Sequence, residues 1–116
     1  MPEGAFGLCL DPEAPNRAQA SLTLDIQDFG LPEPKQLRAT LDALLAAMAA
    51  EPKRLFYVGC RAGLGRTGTV LACLAAECGV TGDPVAWVRA SHDARAVETA
   101  AQEDFARNWL KIGGPS

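Results

Sequence analysis

A chain of 116 residues with a formal net charge of −3 and 48% hydrophobic content has the size of one small domain, read as a single compact unit over residues 1–116. Mild acidity without a basic stripe interleaved with aromatics argues against nucleic acid as a partner. No run reaches the roughly 18 apolar residues that span a bilayer, which argues against a membrane.

The start, Met1-Pro2-Glu3-Gly4, carries no basic region of a secretory leader, so a cytoplasmic location is expected. Residues 5–10 read as a short strand, ended by the breaker-rich run Asp11-Pro12-Glu13-Ala14-Pro15-Asn16. Residues 20–26 alternate, with Leu22, Leu24 and Ile26 on one face and Thr23 and Asp25 on the other, predicting a second strand. Gln27 to Pro32 is a loop by its glycine and proline content. Leu37, Leu41, Leu44, Leu45 and Met48 recur at helical spacing, and Pro52 lies just past the end of this amphipathic helix of about four turns.

Residues 54–59 form a nearly continuous apolar run that predicts a strand buried on both faces. A glycine-rich turn follows, then a helix through Val70, Leu71, Leu74 and Cys78 closed by Gly79. Asp83-Pro84 opens another helix reaching about His92. A last helix begins near Thr99 and carries Phe105, Trp109 and Leu110 towards the core; Thr99 and Gln102 have the spacing of a capping box. Strands alternating with helices imply an α/β fold, with a small, mainly parallel central sheet flanked by helices.

The informative unit is the strand, Cys60, the glycine-rich turn and the helix. Several backbone N–H groups converge on one spot in such a turn, and the helix dipole adds positive potential there. A thiol at that spot is acidified below its free pKa of about 8.5 and becomes a thiolate nucleophile. Gly63 and Gly65 let the backbone wrap an anion, and Arg66 offers a planar fork for two phosphate oxygens. Thr67 can donate a hydroxyl to the thiolate. A nucleotide-binding reading fails: from Gly59 the Walker pattern needs its second glycine at Leu64 and a lysine where Arg66 stands, and Gly63, Gly65 and Gly68 do not form G-x-G-x-x-G.

The segment Cys60-Arg61-Ala62-Gly63-Leu64-Gly65-Arg66-Thr67 resembles the C-x-x-x-x-x-R-[ST] loop of protein tyrosine phosphatases, and its wording is similar to the cell-cycle dual-specificity branch. The resemblance runs over roughly residues 7–110 and implies a phosphatase-like fold with a shortened N-terminal part. It makes Cys60 the nucleophile, Arg66 and Thr67 its catalytic partners, and Arg61, Ala62, Gly63, Leu64 and Gly65 the phosphate cradle. Asp28, in a segment similar to the family's mobile acid loop, becomes the proton donor to the leaving oxygen, with Asp25 as the fallback. Gln102 becomes the residue that orients the hydrolytic water. No metal or organic cofactor is implied. The expected substrate is a phosphorylated protein (phosphotyrosine, also phosphoserine or phosphothreonine) or a small phosphate ester.

Where the family has a histidine before the nucleophile, this chain has Gly59, which implies a less acidic thiol. Leu64 in place of a basic loop residue favours phosphoprotein over phosphoinositide. The short chain implies a shallow cleft and leaves open a homo-oligomer in which a second subunit covers exposed core. The four cysteines Cys9, Cys60, Cys73 and Cys78 include no C-x-x-C pair and read as free thiols, because one histidine, His92, leaves zinc short of ligands. Cys73 and Cys78 are expected in the core, and Cys9 reads as a further free thiol in preference to a resolving partner for an oxidised Cys60. Arg61 either adds potential at the pocket mouth or is a solvated surface arginine, and His92 is read as a helix cap or surface residue. An arsenate reductase or sulfur transferase on the same loop, and a non-catalytic phosphopeptide reader, are the rival readings. A relay of further cysteines is missing for the first, and a reader has no use for the acid.

Overall fold

The helix of residues 34–50 shows how local signals set the frame. Glu33 accepts from the Gln36 N–H (2.8 Å), Pro34 occupies the first turn, and Leu37, Leu41 and Leu44 line one buried stripe. Full burial of each such leucine contributes about 1.5–3 kcal/mol. The computed structural model describes residues 6–13, 20–27, 30–59 and 65–113. In chain order these form β1 (Phe6–Cys9), β2 (Leu22–Thr23), α1 (Pro34–Ala50), β3 (Phe56–Gly59), α2 (Gly65–Glu77), α3 (Pro84–Ser91), α4 (Ala100–Arg107) and α5 (Trp109–Ile112).

The described strands make one parallel sheet in the order β2-β1-β3, with α1 as the crossover into β3. Leu8 stands opposite Leu22 on one side and Val58 on the other, and Cys9 stands opposite Thr23 and Gly59. The predicted strand over 20–26 shortens to Leu22–Thr23, yet its alternation holds: Leu24 and Ile26 are buried while Thr23 and Asp25 are exposed. Leu24 and Ile26 still donate to the carbonyls of Cys9 and Leu10 (2.9 and 3.1 Å), so the chain stays extended along β1.

The strand expected to be buried on both faces is not. β3 has one strand neighbour among the described residues, and Tyr57 (43%) and Leu55 (60%) are exposed. The central position, and with it the burial, belongs to β1.

Helix α2 takes the interior instead. Every residue from Gly65 to Val70 is buried, and the helix packs against α3, α4 and α5. Gly79, with a φ of 87°, ends it in the left-handed region as predicted. Two expectations fail near these helix ends. Cys78 falls just past Glu77 and is exposed, whereas Cys73, one turn inside, is fully buried. The predicted last helix breaks at Asn108, so Phe105 and Trp109 reach the core while Leu110 points outward (53% exposed).

The C-terminal end is fastened to the body through charge. Arg38 Nη1 and Nη2 donate to the two Glu77 carboxylate oxygens (2.7 Å each), Trp109 Nε1 donates to Glu77 Oε2 (2.5 Å), and Arg38 lies over the Trp109 ring. The Glu77 and Asp42 carboxylates hold the Arg38 guanidinium above its ordinary value.

Candidate active site

In a parallel sheet the ligand site forms where the strands end at their carboxyl edge. Here β1 ends into Asp11, the β2 segment into Ile26, and β3 into Gly59, the residue before Cys60. Arg66, in the first turn of α2, reaches into this convergence. Its Nη1 donates to the Ile26 carbonyl (2.9 Å) and lies 3.7 Å from Asp11 Oδ1, with both side chains almost wholly buried. A guanidinium fixed by a carbonyl and a carboxylate presents its fork in one orientation. Thr67 beside it is also buried.

Asp11 was missed as a site residue, because the sequence reading took it only as a turn signal. The available signal was its place two residues beyond the end of β1, a strand that parallel order sets beside β3. Its Oδ1 also accepts from the Glu13 N–H (2.9 Å), which holds the carboxylate in place.

The second wall of the site is the segment 96–102. A Cβ at Gly68 would meet the Val97 backbone nitrogen at 2.8 Å, so only glycine allows α2 this close. Val97 has a φ of 63°, in the left-handed region, which costs a β-branched residue roughly 1–3 kcal/mol. Arg89 steadies it, Nε donating to the Ala96 carbonyl and Nη2 to the Val97 carbonyl and to Glu103 (2.9, 2.9 and 2.6 Å). Next along the chain, the Glu98 carboxylate fills the space that a side chain on Gly65 would occupy.

Gln102 is fully buried and forms the capping box with Thr99. Its Oε1 accepts from the N–H groups of Glu98 and Thr99 (2.9 and 3.2 Å), while Nε2 donates to the Gly30 carbonyl across the fold (3.2 Å). It therefore ties the loop that follows Asp28 to the wall beside α2. Orienting a water would require this amide to turn out of those bonds.

Asp28, Cys60, Arg61, Ala62, Gly63 and Leu64 lie outside the described residues. Gly65, Arg66, Thr67 and Gln102 are gathered at the start of α2. Asp25 is exposed and lines a shallow cleft of about 380 Å³ with Thr23, Gln36 and Thr40, none of them part of the loop. At Gly59 an added Cβ would meet the Tyr57 ring at 2.5 Å, so the ring occupies the room that the family's histidine would need. Cys9, half-buried, is in register with Gly59, and its thiol donates to the Asp11 carbonyl (3.5 Å). His92 caps the end of α3. Among the described residues no cluster of three or more His, Cys, Asp or Glu could hold a metal ion, and no helix is long and apolar enough to cross a membrane.

The family described as "PTP-SAK: Swiss Army Knife protein, DSP-PTPase phosphatase domain" matches residues 12–110. The chain belongs to this DSP-PTPase phosphatase-domain family. Two uncharacterised proteins of Methanocaldococcus jannaschii, MJ0215 and MJECL20, are 35% and 36% identical over 79% and 78% of the chain. The chain spans 56% and 60% of their lengths, so it matches part of each.

Solved phosphatase structures share the architecture. Kinase-associated phosphatase with its catalytic cysteine substituted by serine superposes with a TM-score of 0.74 at 21% identity, over 93% of this chain and 70% of that one. Tk-PTP in its active form gives 0.71 at 25% identity, over 95% and 78%. PTPMT1 gives 0.71 at 18%, over 92% and 76%. The phosphatase domain thus has the α/β fold expected of it.

Proposed function

We propose that this phosphatase domain hydrolyses phosphate monoesters through a phosphocysteine on Cys60, with phosphotyrosine on proteins as the foremost substrate and phosphoserine or phosphothreonine beside it. The observation that carries the reading is Arg66, buried in the first turn of α2 and fixed by the Ile26 carbonyl and Asp11, six residues in sequence after Cys60, which itself follows the last residue of β3. The Cys60 thiolate attacks phosphorus in line while Arg66 and the loop amides from Arg61 to Gly65 hold the non-reacting oxygens. Thr67 steadies the thiolate, and Asp28 protonates the departing oxygen. Water then displaces Cys60 and frees phosphate. Every step uses side chains and backbone amides of this chain together with water, and needs no metal or organic cofactor.

Turnover of p-nitrophenyl phosphate by the wild type, abolished in Cys60→Ser and Arg66→Ala, is the expected result. Undiminished turnover in Cys60→Ser would overturn the reading, and binding of phosphopeptides without turnover would favour a reader domain. A panel of phosphotyrosine, phosphoserine and phosphothreonine peptides and phosphoinositides sets the substrate class; phosphoinositide alone would reject the phosphoprotein assignment.

A further inference from the structure

The orientation of Arg66 depends on more than the groups that touch its fork. Its backbone lies in the first turn of α2, and the segment 96–102 presses on that turn from both sides of it. A Cβ at Gly65 would meet the Glu98 carboxylate and, at 3.2 Å, Gln102 Oε1. A Cβ at Gly68 would meet the Val97 nitrogen at 2.8 Å and the Ala96 Cβ at 3.0 Å. Arg66 and Thr67 lie between these two glycines, so whatever fixes residues 96–98 also fixes the seat of the Arg66 fork.

Residues 96–98 form no helix or strand, and Val97 stands at a φ of 63°. A segment of this kind keeps its shape only under restraint from its surroundings. Arg89 supplies the restraint from α3. Its Nε donates to the Ala96 carbonyl and its Nη2 to the Val97 carbonyl (2.9 Å each), and Nη2 also donates to Glu103 Oε1 (2.6 Å). Glu103 accepts in turn from Arg107 Nη1 (3.2 Å), and Arg107 Nε donates to Oδ2 of Asp83 (3.1 Å), the cap of the helix that carries Arg89.

An ordinary ion-pair lattice between α3 and α4 is the competing explanation, and part-exposed pairs of that sort contribute little. Such a lattice has no use for carbonyls. Arg89 nevertheless directs two donors at the carbonyls of consecutive residues, the two that meet Gly68.

We propose that Arg89 is a positioning residue for the oxyanion site, acting through Ala96 and Val97 on the first turn of α2 and so on the Arg66 fork. The proposal rests on the phosphatase reading above, in which Arg66 holds the non-reacting phosphoryl oxygens. A planar fork meets two oxygens at once, so a tilt of the turn that carries it weakens both bonds together. Loss of Arg89 therefore weakens the hold on a bound oxyanion and on the transition state alike.

The test uses the full chain as wild type, Arg89→Met, Arg89→Lys and Arg107→Gln. Hydrolysis of p-nitrophenyl phosphate and its competitive inhibition by inorganic phosphate are measured at a temperature where thermal melting shows the variants folded. Arg89→Met should lower kcat/KM about tenfold and raise the Ki of phosphate by a similar factor, the scale on which residues outside a site modulate it. Arg89→Lys keeps the charge but has no fork to span both carbonyls, so it should lose about fivefold in each. Arg107→Gln removes the pairs with Asp83 and Glu103 and leaves both carbonyl bonds of Arg89. It should keep kcat/KM and Ki within about twofold of wild type, whatever its Tm. Values within about twofold of wild type in folded Arg89→Met, or in Arg89→Lys where the methionine variant does not fold, would overturn the assignment. So would equal losses in Arg107→Gln, which would trace the effect to loosening of α3 against α4. A wild type without turnover would overturn the phosphatase reading itself, and this assignment with it.

Discussion

Alanine at Gly68 probes the contact on which the geometry of the site wall depends. In an exposed helix interior the change from glycine to alanine gains about 1 kcal/mol. Here the new Cβ would lie 2.8 Å from the Val97 nitrogen, 3.0 Å from the Ala96 Cβ and 3.3 Å from a Val97 methyl. The first obstacle is backbone, held by Arg89 through two carbonyls and already at a φ of 63°. It cannot swing aside as the tip of a side chain does. Overpacking of this kind costs about 1–3 kcal/mol, and the loss of the Arg89 bonds would add about 1 kcal/mol for each bond weakened. With one bond weakened, net destabilisation of about 1–3 kcal/mol follows, a fall in Tm of roughly 4–12 °C for a domain of this size. Thermal unfolding followed by circular dichroism measures it. A Tm equal to or above that of the wild type would refute the claim that Val97 is clamped between α2 and Arg89.

Three further outcomes are expected. Glu77→Ala strips Arg38 and Trp109 Nε1 of a common, almost wholly buried acceptor, and should cost about 2–3 kcal/mol in urea unfolding; a loss below about 0.5 kcal/mol would mean that the C-terminal end is held by packing alone. Asp11→Asn removes the charge that faces Arg66 and should lower kcat/KM about tenfold, equivalent to about 1.4 kcal/mol, while unchanged kcat/KM would show that this charge does not hold Arg66 in place. Burial pushes the Cys73 thiol well above its ordinary range, and the Glu77 charge adds to this, so iodoacetamide at neutral pH should label exposed Cys78 and spare Cys73 until the protein is denatured; labelling of Cys73 in the native state would contradict its burial.

Features written in a few adjacent residues were legible before any coordinates. The leucine stripe of α1, the Asp83-Pro84 helix start, the Thr99 capping box and the glycine at 79 each depend on neighbours within one or two turns. The strand ending at Gly59 and the helix starting at Gly65 carry the same kind of local signal.

What escaped depends on distant pairing. Nothing near residues 54–59 reveals that β1 takes the centre of the sheet, so the apolar run was read as doubly covered when Tyr57 and Leu55 face outward. Cys78 was assigned to the core by periodicity, but the helix ends one residue earlier and the stripe stops with it. Gln102 looked both like a cap and like a catalytic amide, and only the bond to Gly30, 72 residues away in sequence, reveals its bracing role. Asp11 meets Arg66 and Glu98 meets Gly65 through the fold alone, Asp11 by parallel strand order and Glu98 by the left-handed turn at Val97.

The most direct test of a cysteine nucleophile in this domain is the covalent intermediate. Wild-type protein mixed with p-nitrophenyl phosphate, quenched in acid within milliseconds and digested, is expected to carry one phosphoryl group on the peptide that contains Cys60, and Cys60→Ser is expected to carry none while losing turnover. A phosphoryl group on any other residue, or turnover that persists in Cys60→Ser, would contradict the account.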